Sequence, residues 1–145
     1  MSRKYETTED VLDLVRVFED ASIPREEWKH AEHLIVALHY ISNHDVDTAI
    51  GKMRSGILNL LADGFKVDLV KEMPYHETIT VFWIRTVAAY HASSNGKPIA
   101  DKIDEMISRF DKDYLFSYYT REYLFSDKAR TEFVEPDLRL FDYQF

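Results

Sequence analysis

All six histidines of this chain fall between residues 30 and 91. His30 and His33 stand three apart in WKHAEHLIVALHYI (28–41), a stretch as apolar as a central helix. His76 opens a second stretch, YHETIT (75–80). At about 100° per residue, His30, His33, Ala37 and Tyr40 share one side of the first helix. Glu32 and His39 point the other way, toward surface or rim. On the later helix His76, Thr80, Trp83 and Val87 form one stripe, with Glu77 next around. An imidazole in the first turn meets the positive end of the helix dipole, which favours its neutral form. A neutral imidazole serves as a base or as a metal ligand.

Three chemistries follow. In the first, His30, His33 and His76 bind one divalent metal ion, with Glu77 or water completing the shell. A dinuclear carboxylate centre needs two Glu-x-x-His helices, and only Glu27-x-x-His30 is present. In the second, metal-free acid–base chemistry uses His33 or His76 as base, with Tyr40 or Glu77 as partner. In the third, a small molecule is simply bound, with Trp28, Trp83, Tyr40 and Tyr90 as lining. Together they nominate His33, His76 and Glu77 as catalytic residues. Trp28, Tyr40, Thr80, Trp83 and Arg130 become substrate contacts. Against all three stands a structural reading. Buried histidines commonly donate to a main-chain carbonyl, and Tyr and Trp stripes commonly build cores. Arg130 then pairs with a carboxylate instead of a bound anion.

The elements that must position these residues are helices. Thr7 and Thr8 offer capping hydroxyls ahead of Glu9 and Asp10, and Val11, Leu14, Val15 and Phe18 follow at helical spacing, giving a helix over about 9–21. Ser22-Ile23-Pro24 stops it, and Pro24 starts a second helix running to about Ser42. A third spans about 46–62, with Gly64 expected just past its end. Gly51 and Gly56 lie inside it, where close approach of a helix or ligand would explain them. Residues 65–73 read as a packed loop or short helix. Pro74 introduces a fourth helix over about 75–92, followed by the loop Ser93-Ser94-Asn95-Gly96-Lys97-Pro98. A fifth covers about 99–110. A sixth, rich in aromatics, covers about 113–125 and reads as core, or as the face of a homodimer if exposed. Ser126 caps a last short helix through about Phe133. The tail LRLFDYQF lies extended over the body to cover its Leu and Phe side chains.

Composition narrows the field. A net charge of −8 with scattered basic residues disfavours nucleic acid and anionic membrane surfaces. Absence of cysteine excludes disulfides and thiol chemistry. No run approaches the roughly 18 apolar residues of a membrane span, and the amino terminus lacks an apolar signal core, so the cytoplasm is the expected location. No phosphate-binding glycine loop and no Gly-x-Ser-x-Gly occurs.

Three pieces recur together: Trp28-x-His30-x-x-His33-Leu34, Tyr75-His76-Glu77-Thr78-Ile79-Thr80, and Ser126-x-x-Ala129-Arg130 with Phe133-Val134-x-Pro136-Asp137-Leu138. In this the chain resembles a family of small uncharacterised helical proteins with the same order of motifs. The resemblance singles out His30, His33, His76, Glu77 and Arg130 as a set and implies no substrate or cofactor.

The expected fold is therefore all-α. It is a single-domain bundle of five to seven helices over residues 1–145, with 1–6 and about 139–145 peripheral and the second and fourth helices central. The expected function is a small-molecule enzyme with a histidine-lined pocket between those two helices, acid–base or metal-assisted. The alternative is a non-catalytic ligand-binding or protein-interaction domain.

Overall fold

Thr7 starts the first helix as its sequence suggests. Its hydroxyl accepts from the Asp10 N–H at 3.1 Å, and the Asp10 carboxylate accepts from the Thr7 N–H at 3.1 Å. In the computed structural model, which describes residues 4–141, helix α1 then runs Thr8–Glu19 and buries Val11, Leu14, Val15 and Phe18. It is followed by α2 (His30–Asn43), α3 (Val46–Asn59), α4 (Glu77–Ser93), α5 (Ile99–Arg109), α6 (Arg121–Leu124) and α7 (Asp127–Thr131). Among the described residues there is no strand, so the architecture is all-α. None of these helices is long and apolar enough to cross a membrane.

The centre is the pair α2 and α4, the most extensively packed helices of the molecule. Leu34 through Leu38 are all buried on α2, and Val81 through Ile84 on α4. Such continuous burial requires neighbours on every side. For α4 these are α2, α3 and α7; for α2 they are α1, α3, α4 and α5.

The start of α2 differs from expectation. Residues Arg25–Glu27 form a separate 3-10 turn, and Trp28 and Lys29 are extended. The Glu32 carboxylate accepts from the Lys29 N–H at 3.2 Å, which sets His30 as the first helical residue. Glu32 is not at the surface either: it is 4% exposed and also accepts from the Tyr5 hydroxyl at 2.7 Å. That bond ties down Tyr5, within the stretch expected to be peripheral. Residues 1–3 and 142–145 of the expected peripheral ends lie outside the described residues.

Gly56 is explained by α1. A Cβ there would stand 2.4 Å from the Phe18 ring, so the missing side chain admits that ring. Gly64 is not a left-handed helix end. It closes a π-helical turn, Leu60–Gly64, and backs onto Ala21, whose carbonyl would be 2.8 Å from a Cβ. Residues 66–76 then form turns and extended chain with Val70 at full exposure.

The aromatic stretch 113–125 is not one helix. It forms a 3-10 turn, Tyr114–Ser117, and then α6. Thr120 breaks it by adopting an extended ψ of 151° as the cap of α6. Its N–H and hydroxyl both donate to the Asp137 carboxylate, at 2.9 and 2.6 Å. Ser126 caps α7 as expected, accepting from Ala129 N–H at 3.2 Å. The chain beyond α7 lies extended on the body. Val134 N–H donates to the Thr78 hydroxyl, Tyr119 donates to the Val134 carbonyl, and Leu138 N–H donates to the Tyr118 carbonyl. Phe141 packs against Phe82 and Tyr118. Leu138 and Leu140 remain exposed, contrary to the expectation that every apolar tail residue finds cover.

Candidate functional site

Each of the three expected ligand histidines serves a different local purpose. His30, at the first turn of α2, donates its Nε2–H to the Phe110 carbonyl at 2.6 Å; a carbonyl only accepts, so that nitrogen carries the proton. Its ring lies edge-on to Trp83 at 4.8 Å. The contact joins the start of α2 to the end of α5.

His76 is not inside α4 but is its N-cap. Its Nδ1 accepts from the Ile79 N–H at 3.2 Å and its Nε2–H donates to the Leu124 carbonyl at 2.7 Å. Both nitrogens are thus engaged, and only one neutral tautomer meets both demands. Burial holds its pKa below the ordinary histidine value and nearby Arg130 adds to the effect, against the opposing pull of the Leu124 carbonyl. The expected neutrality is present, in a structural capping role. Phe125 closes the ring from the α6 side, edge-on at 5.9 Å.

His33 is enclosed differently. Its Nε2 is buried and without a hydrogen-bond partner. Its ring is 6.0 Å from that of Trp28, and burial, helped by the neighbouring His30, lowers its pKa to about 4. Among the described residues no three His, Asp or Glu side chains stand together as a metal-binding group. The expected metal set of His30, His33 and His76 is therefore not assembled. The reason is the two helix starts. With His30 at the first position of α2 and His76 outside α4, the rings are drawn to the ends of α5 and α6 instead of to each other.

Apart from Arg130, the remaining nominated residues are also committed. The Glu77 carboxylate accepts from Arg54 Nε at 2.9 Å and from the Tyr75 hydroxyl at 2.5 Å, and pins α3 to the start of α4. Arg54 holds its pKa below the usual carboxylate range. Tyr40 donates to Glu19 at 2.7 Å, and Thr80 donates to the His76 carbonyl at 3.0 Å. Trp28 stacks on Phe18 at 4.7 Å, Trp83 is buried among Phe82, Tyr114 and His30, and Tyr90 donates to Glu105. The space between α2 and α4 is packed core.

Four clefts stand out on the surface, and none of the four has a histidine in its lining. One includes Tyr40, at a polar groove over Gly51, Lys52 and Ser55. Another includes Arg130. It has a volume of about 380 Å³ and is lined by Leu58, Met73, Tyr75, Asp127, Arg130 and Thr131. Three segments build it: the end of α3, the linker before α4, and α7. Leu58, Met73 and the Tyr75 ring supply an apolar wall. The Tyr75 hydroxyl is already given to Glu77, and its pKa is pushed up to about 12, chiefly by burial. Arg130 is half-buried, with its guanidinium over the Phe125 ring at 5.6 Å. Among the described residues it has no carboxylate within ion-pair distance.

Of this set, only Arg130 is marked by the sequence as a binding residue. Met73 lies in a linker without periodicity, and Leu58 and Thr131 look like ordinary helix positions. Only Tyr75, inside the YHETIT motif, carried a signal. No family model, no curated protein and no solved structure matches the chain.

Proposed function

We propose that this chain is a non-catalytic ligand-binding domain whose site is the Leu58–Met73–Tyr75–Arg130 cleft, and that its ligand carries an anionic group. The observation that carries the reading is Arg130. A half-buried guanidinium without a carboxylate partner, beside an apolar wall, is an anchor for an anion. The cleft volume of about 380 Å³ falls within the range of roughly 300–1,000 Å³ common to small-molecule sites. The tight frame supports binding over catalysis. The ring nitrogens of His76 are both used, and Glu77 is neutralised by Arg54. His33 Nε2 is buried, and His33 does not line this cleft.

The test is calorimetric titration with 4-methylpentanoate, a carboxylate with a branched apolar tail. Saturable binding is expected, weakened at least about tenfold by Arg130→Gln, since a charge-assisted hydrogen bond contributes about 1.5–3 kcal/mol. Lys128→Gln, on the exposed side of the same helix, is expected to leave it unchanged. Lack of saturation, or equal weakening by both substitutions, overturns the reading.

A further inference from the structure

We infer that the ligand of this cleft is a zwitterion with an apolar side group, of the α-amino acid class, whose carboxylate meets Arg130 and whose ammonium meets Asp127. The inference rests on the reading of the cleft just given and specifies its occupant.

Asp127 and Arg130 are three residues apart on α7, a spacing that brings side chains together on a helix surface. Elsewhere in this chain some opposite charges so spaced close on each other, while others, such as Lys102 and Glu105, do not. Asp13 and Arg16 approach to 3.8 Å, and Lys128 and Glu132, four apart, also to 3.8 Å. Asp127 and Arg130 form no such pair. The guanidinium lies over Phe125 instead, and the Asp127 carboxylate has no hydrogen-bond or ion-pair partner among the described residues. Both nevertheless line the same 380 Å³ space.

The other polar groups there are already used. Tyr75 donates to Glu77, and the Thr131 hydroxyl donates to the Asp127 main-chain carbonyl at 3.0 Å. What the cleft leaves over is one cation, one anion and an apolar wall of Leu58 and Met73. A plain carboxylate entering it is attracted by Arg130 and repelled by Asp127. A plain amine meets the reverse. A molecule bearing both charges on one carbon, with a branched or thioether side group, satisfies both and covers the wall. Loss of solvent on binding strengthens both contacts, which in open water are weak.

Three probes share one 3-methylbutyl unit and separate the alternatives: L-leucine, 4-methylpentanoate, which lacks the ammonium, and 3-methylbutylamine, which lacks the carboxylate. On the native chain L-leucine is expected to bind at least about tenfold tighter than either relative. Asp127→Asn is expected to weaken L-leucine about tenfold while leaving 4-methylpentanoate as tight or tighter. Arg130→Gln is expected to weaken both. Should 4-methylpentanoate bind as well as L-leucine, or L-leucine lose nothing in Asp127→Asn, the zwitterion is refuted while the anion-binding cleft stands. Should 4-methylpentanoate fail to saturate, the cleft reading falls and its occupant with it. The comparison of probes uses only the native chain, so a variant that fails to fold does not blunt it.

Discussion

Replacing His76 by alanine removes two interactions that can be separated. The first is the cap. Nδ1 accepts from Ile79 N–H, and loss of an N-cap acceptor costs about 0.5–2 kcal/mol. The second is the Nε2–H donated to the buried Leu124 carbonyl. Leaving a buried acceptor unmatched costs about 1–3 kcal/mol. Together His76→Ala is expected to destabilise the fold by about 2–4 kcal/mol, a large fraction of the roughly 5–15 kcal/mol of a typical domain. His76→Asn restores a good capping acceptor but is too short to reach Leu124, so it is expected to recover about 1 kcal/mol. Urea unfolding followed by tryptophan fluorescence measures both, with midpoints compared at constant slope. The two indoles, Trp28 and Trp83, lie in the core region this cap supports. If His76→Ala stays within about 0.5 kcal/mol of the native chain, the capping argument is wrong. If asparagine is no better than alanine, the stabilisation comes from packing against Phe125. Such a result would also reopen His76 as a residue kept for chemistry.

Acid sensitivity follows from His33, whose pKa is lowered to about 4 by burial. The unfolded chain binds the proton near pH 6.5, before the folded one does. Stability is therefore full above about pH 6.5 and declines as pH falls toward 4, by roughly 3 kcal/mol in all. His33→Phe, which also removes the orphaned Nε2, is expected to flatten that decline in pH-dependent urea titrations; an unchanged slope excludes His33 as its source. Gly56→Ala forces a Cβ to within 2.4 Å of the Phe18 ring and is expected to destabilise by about 1–3 kcal/mol. Gly51→Ala meets nothing within 4 Å and is expected to stabilise by about 0.5–1 kcal/mol, so thermal melts should move in opposite directions. Arg54→Met strips the mostly covered Glu77 carboxylate of a counter-charge that is itself 43% exposed, and with solvent screening is expected to cost about 1–2 kcal/mol in the same urea assay. A loss below about 0.5 kcal/mol would show the pair to be ornamental.

Local signals in the sequence were enough for the helices and several of their caps. Thr7 and Ser126 cap where their neighbours imply, because an N-cap bond spans only three residues. The centrality of α2 and α4 followed from their continuous apolar runs. Where partners come from afar, the same reasoning failed. Thr120 interrupts the aromatic segment because Asp137, 17 residues on, takes both its donors. Glu32 is buried because Tyr5 arrives from the other direction. His76 looked like a helical residue, and its capping role depends in part on a carbonyl 48 residues away. The convergence of His30, His33 and His76 was inferred from helical phase alone. Phase gives the direction of a side chain from its own axis; it does not say what stands opposite. In the folded chain that space was filled by Phe110, Trp28 and Leu124. Helix identity is a property of a few consecutive residues and so was written in the sequence itself. Which polar atom meets which, and which arginine is left without a partner, depends on segments packed from distant parts of the chain, and only the tertiary structure decided it.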